Sequence, residues 1–199
     1  MTPKGQRIGI WIITVVMTVG IIGSFAVMIL GTQNQEAADK QAAEQQAKQQ
    51  KQLEAQQKQQ AALSSKYYPT FSQYQSTPTQ FDPTTVGKTV TSQDLVVGTG
   101  ATLGSTTNYQ AYYIGWNPDG KVFDSSFSGS SLKTPLDTAQ LGGPSGLIKG
   151  WSQGVVGMKV GGIRELTIPA ALAYGDQSPS ADIPANTPLK FIIYVIKTD

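Results

Sequence analysis

The chain has 199 residues with 15 Lys and Arg against 13 Asp and Glu, and a formal charge of +2 is too weak a field to favour nucleic acid. It holds neither His nor Cys, which excludes Ser-His-Asp and Cys-His nucleophilic catalysis, Cys/His zinc sites, disulfides and cysteine-linked lipid anchors. Only 14% of residues are charged, because an apolar run and a Gln/Ala-rich run occupy much of the N-terminal part.

The first element, from Ile8 to Leu30, carries no charge and at about 1.5 Å per residue is long enough to cross a hydrocarbon core of ~30 Å. It exceeds the apolar region of about 7–15 residues of a signal peptide, and no small-x-small cleavage site follows Gly31, so it reads as a retained transmembrane helix (8–30). Lys4 and Arg7 precede it, whereas Glu36 and Asp39 are the first charges after it. The positive-inside bias therefore puts a cytoplasmic tail (1–7) on one side and everything after Gly31 outside the membrane.

Residues 31–63 are predicted to form a helical stalk. Gln, Ala, Lys and Glu dominate, no Pro or Gly interrupts Gln33 to Gln60, and Glu36/Lys40, Glu44/Lys48 and Glu54/Lys58 stand at i,i+4 in the favourable order. With Leu53 and Leu63 as its only large apolar residues, it lacks a heptad seam and reads as a solvated spacer, with self-association through Ala faces as the alternative. Residues 64–85 read as an extended connector because Pro69, Pro78 and Pro83 fall among Ser, Thr and Gln. Five aromatics interrupt it: Tyr67, Tyr68, Phe71, Tyr74 and Phe81. Either they pack back on the domain that follows or they leave a sticky, unpacked segment.

Beyond Val86, turn signals recur at Gly98-Thr99-Gly100, Asn117-Pro118-Asp119-Gly120, Gly142-Gly143-Pro144 and Gly161-Gly162. Tyr109 to Trp116, Ile163 to Ile168 and Leu189 to Ile196 are predicted strands, with Asp119-Gly120 closing a hairpin. Lys149 to Met158 is the expected helix, weakened by Gly154 and Gly157 so that packing must hold it.

Three segments carry the chemistry: Lys121-Val122-Phe123-Asp124-Ser125-Ser126, Gly146-Leu147-Ile148-Lys149-Gly150-Trp151 and Ala173-Tyr174-Gly175. Together with Tyr113-Ile114-Gly115, Met158-Lys159-Val160-Gly161, Ile183-Pro184 and Leu189-Lys190-Phe191, their order from about Thr89 to Thr198 resembles the FKBP-type peptidyl-prolyl cis/trans isomerases. That resemblance implies an α+β domain (86–199), an antiparallel β-sheet wrapped around one short α-helix, here preceded by a transmembrane helix and a helical stalk. It implies a proline pocket lined by Tyr113, Phe123, Asp124, Leu147, Ile148, Trp151, Tyr174, Ile183 and Phe191, with Trp151 as its floor. In that pocket the Ile148 backbone N–H and the Tyr174 hydroxyl would donate to substrate carbonyls, and Asp124 would lie near Tyr113 as an orienting wall. The resemblance implies no cofactor and no metal, proline-containing polypeptide clients, and macrolide inhibitors as a further ligand class.

Amide rotation before proline meets a barrier of about 18–20 kcal/mol set by resonance. Because the twisted amide is less dipolar than the planar one, an apolar cavity favours the transition state without nucleophile, proton shuttle or metal. A chain without His or Cys can do this. Taken singly, Phe123, Ile148, Trp151 and Phe191 suit any small β core, and Asp124-Ser125-Ser126 suits a capped turn; only their joint order carries the reading. The chain departs from the family pattern at Leu136, after Pro135, and at Asp182, two positions before Pro184. These departures imply a thinner or wetter pocket wall, and they motivate the second reading of a chaperone or binding module with little isomerase activity.

Overall fold

A computed structural model of the chain describes residues 32–143 and 146–198. The expected span 8–30 and the tail before it lie outside the described residues, among which no helix is long and apolar enough to cross a membrane. Contacts divide the chain into two units, Met1–Gln59 and Gln60–Asp199.

Helix α1 spans Thr32–Phe71. In the first unit its side chains from Ala42 to Gln59 are all exposed, so propensity and not burial accounts for the helix there. The stretch expected to be extended from Ser64 is instead helical as far as Phe71 and includes Pro69, after which Ser72–Tyr74 and Pro83–Thr85 form short 3₁₀ turns. The physical reason is spacing. Tyr67, Tyr68, Phe71 and Tyr74 follow one another at i, i+1, i+4 and i+7, an apolar stripe whose burial outweighs one late proline. Phe71 is fully buried.

The second unit is built on an antiparallel sheet of β1 (Thr91–Val96), β7 (Ile163–Ile168), β8 (Leu189–Thr198), β2 (Tyr109–Trp116) and β3 (Val122–Ser125), hydrogen-bonded in that order, with β6 (Leu136–Asp137) alongside β2. A two-stranded hairpin, β4 (Phe127–Ser128) with β5 (Ser131–Leu132), stands apart from it. β2 matches its expected bounds, and the Asp119-Gly120 turn closes the β2–β3 hairpin with Gly120 at φ 77°.

Side chains alternate along β2, and both faces of the sheet are covered. Tyr109 and Ala111 join the inner core with Trp151, Leu166, Ile168, Phe191 and Ile193. Tyr112, Ile114 and Trp116 join an outer core with Phe71, Phe127, Ile192 and Tyr194, against which Tyr67, Tyr68, Tyr74 and Phe81 pack. The connector aromatics thus pack back on the sheet.

Helix α2 spans Lys149–Gly154, shorter than expected, because the chain turns through Val155–Gly157 and Gly157 takes a left-handed φ of 81°. Its glycines serve proximity: a Cβ on Gly150 would stand 2.2 Å from Ile168 Cγ2, and one on Gly154 would stand 2.6 Å from Leu166 Cδ1. Two glycines that weaken an isolated helix let this one lie directly on β7.

Candidate active site

The inner face of the sheet and α2 bring an aromatic cluster together. β2 supplies Tyr113, β3 supplies Phe123 and Asp124, α2 supplies Trp151 and β8 supplies Phe191. Leu147 and Ile148 lead into α2, Ile183 lies on the loop before β8, and Tyr174 follows the 3₁₀ turn Ala170–Leu172. Trp151, Ile183 and Phe191 are buried in the inner core, and Tyr113, Phe123, Leu147 and Ile148 pack partly buried against it.

The rings meet edge to face, the arrangement their quadrupoles favour. Trp151 lies 4.9 Å from Phe191 and 5.2 Å from Tyr113, centroid to centroid, and Phe123 lies 5.5 Å from Phe191. The indole Nε1 of Trp151 donates to the buried Tyr109 hydroxyl at 2.9 Å, so its polar edge is satisfied beneath the pocket. Close ring packing requires Gly115, where a Cβ would stand 2.6 Å from Phe191 Cε1 and 2.8 Å from Phe123 Cζ.

Polar groups meet at one edge of this lining. The Tyr113 hydroxyl donates to Asp124 Oδ2 at 2.5 Å. Burial, then the Asp124 carboxylate and the bond to it, hold the Tyr113 phenol far above its usual range, so it stays a donor. Tyr174, 37% exposed at the rim, is pushed up by burial and by the same carboxylate, and its hydroxyl likewise stays protonated. Ile148 occupies the N-cap of α2 and gives its carbonyl to the Trp151 N–H at 3.0 Å. Of the nine residues expected from the sequence, seven share the inner core, and Asp124 and Tyr174 stand exposed beside it, Asp124 tied to it through the Tyr113 hydroxyl.

A model of the family described as FKBP-type peptidyl-prolyl cis-trans isomerase matches residues 100–196. The chain is 39% identical over 105 residues to the "Probable FK506-binding protein" of Corynebacterium glutamicum, covering 52% of this chain and 81% of that one. The chain belongs to the FKBP-type peptidyl-prolyl cis-trans isomerase family. It is also 39% identical over 104 residues to "FK506-binding protein 4" of Rhizopus delemar, covering 52% of this chain but only 26% of that protein's length. A solved peptidyl-prolyl cis-trans isomerase of Pseudomonas syringae pv. tomato overlays with a TM-score of 0.48 at 29% identity, covering 55% of this chain and 75% of that one.

Around this FKBP-type pocket stand residues that sequence reasoning missed. Tyr109 supports the floor through Trp151, and its phenol is raised to about 12 by burial. Ser126, almost fully buried, accepts from the Tyr113 N–H at 2.9 Å and donates its own N–H to the Tyr113 carbonyl at 2.8 Å. Asn117 is buried in the β2–β3 turn; its Oδ1 accepts from the N–H groups of Asp119 and Lys121, while Nδ2 donates to the Asp182 carbonyl at 2.9 Å. The turn signal around Pro118-Asp119-Gly120 marks the hairpin but says nothing of this link to the loop before β8.

Asp182, where the sequence implied a wetter wall, is engaged in the same geometry. Its carboxylate pairs with Lys121 Nζ at 2.5 Å, and Ile183, the next residue, fills the core side. Leu136 is half-buried against the inner core, where its aliphatic side chain still contributes packing.

Proposed function

We propose that this chain accelerates cis/trans exchange of X-Pro bonds in extracytoplasmic polypeptides, anchored to the membrane through residues 8–30. The observation that carries the isomerase reading is the pocket itself. An apolar ring cage whose floor has its only polar atom tied to Tyr109 is edged by two phenols that stay protonated. The apolar walls would strip water from the prolyl carbonyl and disfavour its planar, more dipolar form. The Ile148 N–H and the Tyr174 hydroxyl would hold the flanking carbonyls, and Asp124 would fix the orientation of Tyr113. Catalysis of this kind needs no cofactor.

The extracytoplasmic assignment rests on the uncharged run from Ile8 to Leu30 and on Lys4 and Arg7 before it. Macrolides that present a proline-like ring to an aromatic cage are ligands of the same shape, and competition between such a macrolide and peptide is expected.

The deciding experiment is exchange in a short X-Pro peptide with the full chain in detergent. Acceleration that weakens in Tyr174→Ala and Asp124→Ala is the expected result. Exchange no faster than in buffer, accompanied by suppression of client aggregation that survives Tyr174→Ala, would favour the binding-module reading instead. For location, externally added protease should digest the domain in cells whose outer layers have been opened but whose membrane is sealed.

A further inference from the structure

The end of α1 lies across the sheet from the pocket, yet a short relay joins them. Ser64 is 8% exposed, and its Oγ accepts a buried hydrogen bond from the Leu132 N–H at 2.8 Å. Gln60 Nε2 donates to the Leu132 carbonyl at 3.5 Å, and Phe71 stacks on Phe127 at 5.1 Å with planes 8° apart. Leu132 and Phe127 are paired across the β4–β5 hairpin. Immediately before Phe127 comes Ser126, which grips Tyr113 through both its N–H and its Oγ.

That hairpin cannot hold itself. Each strand is two residues long, far below the length at which an isolated pair is stable. Its other ties near the pocket are the Lys133 N–H to the Ser126 carbonyl and the Lys133 ammonium to the Ser125 carbonyl, both at 2.8 Å, the second of them exposed to solvent. Helix α1 supplies a buried one, from the Leu132 N–H to Ser64 Oγ.

We propose that the last turns of α1, from Gln60 to Phe71, are a positioning element of the isomerase site, with Ser64 as the positioning residue that sets Tyr113 and Asp124 through the β4–β5 hairpin. The inference rests on the isomerase reading above. It gives the end of the stalk a part in catalysis and not only in reach. The relay meets Trp151 only through the Tyr113 ring, while Phe123, Leu147, Ile183 and Phe191 keep their packing without it, so substrate affinity depends on it less than the Tyr113–Asp124 geometry does.

The test uses the full chain with Ser64→Ala and Ser64→Thr. Ser64→Ala leaves the Leu132 N–H without its acceptor and should lower kcat about fivefold while KM stays within about twofold, because small misplacements at a site cost rate more than affinity. Ser64→Thr, which keeps the hydroxyl, should restore most of it. An unchanged kcat overturns the proposal, as does a loss that merely tracks the unfolded fraction at the assay temperature. Should Ser64→Ala fail to fold, Gln60→Ala, which loosens Leu132 from its carbonyl side, takes its place with the same expected split. If the unsubstituted chain shows no catalysis, the isomerase reading fails by itself, and amide hydrogen exchange decides the relay. Faster exchange at Tyr113 and Ser126 in Ser64→Ala then supports it, and unchanged exchange overturns it.

Discussion

Phe71→Ala should cost this protein more stability than any substitution in the solvated part of the same helix. Phe71 is fully buried, stacked on Phe127 and within 5.9 Å, centroid to centroid, of both Tyr74 and Tyr194. Truncating a buried phenylalanine costs about 3–5 kcal/mol, the transfer free energy of the lost ring plus the cavity left among neighbours that only partly relax. For a unit the size of Gln60–Asp199, at about 3–4 °C per kcal/mol, that is a fall of roughly 10–20 °C in the unfolding midpoint. The assay is thermal unfolding of the full chain followed by near-ultraviolet circular dichroism, which reports aromatic packing and ignores the exposed turns of α1. Leu53→Ala, at a residue 57% exposed on the same helix, is the control and should move the midpoint by no more than about 2 °C. A Phe71→Ala midpoint as little changed as the control's would refute the reasoning, since the outer core would then stand without the helix end. The same burial sets the domain boundary. A fragment starting at Thr85 would bare Tyr112, Ile114 and Trp116 and should aggregate, whereas one starting at Gln60 should not.

Gly115→Ala should cut peptide exchange at least tenfold with the sheet intact, because the new methyl pushes Phe191 and Phe123 apart and opens the cage; activity within about twofold of the unsubstituted chain would show that the walls do not matter. Tyr109→Phe strands the buried Trp151 N–H and should lower stability by about 1–3 kcal/mol in urea unfolding, with no loss expected only if the indole finds another acceptor. Alkaline pH should destabilise the fold. Tyr109 and Tyr112 are raised to about 12, chiefly by burial, so the unfolded chain releases these protons first. The stability they contribute is present below the unfolded value of about 10 and is lost as pH rises towards 12, with a limiting slope of ~1.4 kcal/mol per pH unit for each. Urea midpoints that stay level from about pH 9 to about pH 11.5 would contradict this sign.

The inner half of this domain was legible in the sequence because each of its signals is local or ordered. Tyr109 to Trp116 and Ile163 to Ile168 are strands with their expected bounds, and the residues of the three chemical segments converge as their order implies. The outer half was legible only in part: packing of the five aromatics back on the domain was one of two open alternatives, and the helix and 3₁₀ turn that carry four of them were not expected. Tyr67, Tyr68, Phe71 and Tyr74 stand at helical spacing, but Pro69 and the surrounding Ser and Thr argue locally for a connector. Propensity cannot see that Tyr112, Ile114 and Trp116 on the far side of β2 need a cover.

Asp182 shows the same limit from the other direction. At one position in a motif, a carboxylate where an apolar residue is usual reads as a breach in the pocket wall. In three dimensions the residue belongs to a different structure, a clamp in which the Asn117 amide holds its carbonyl and the Lys121 ammonium holds its carboxylate. The exposed ion pair contributes little by itself, of the order of 0–1 kcal/mol. The half-buried amide bond is the stronger tie, and it acts on the backbone, which any side chain at position 182 would share. The departure from the pattern is therefore carried by an exposed ion pair, while Ile183, the next residue, stays buried in the same core as Trp151 and Phe191.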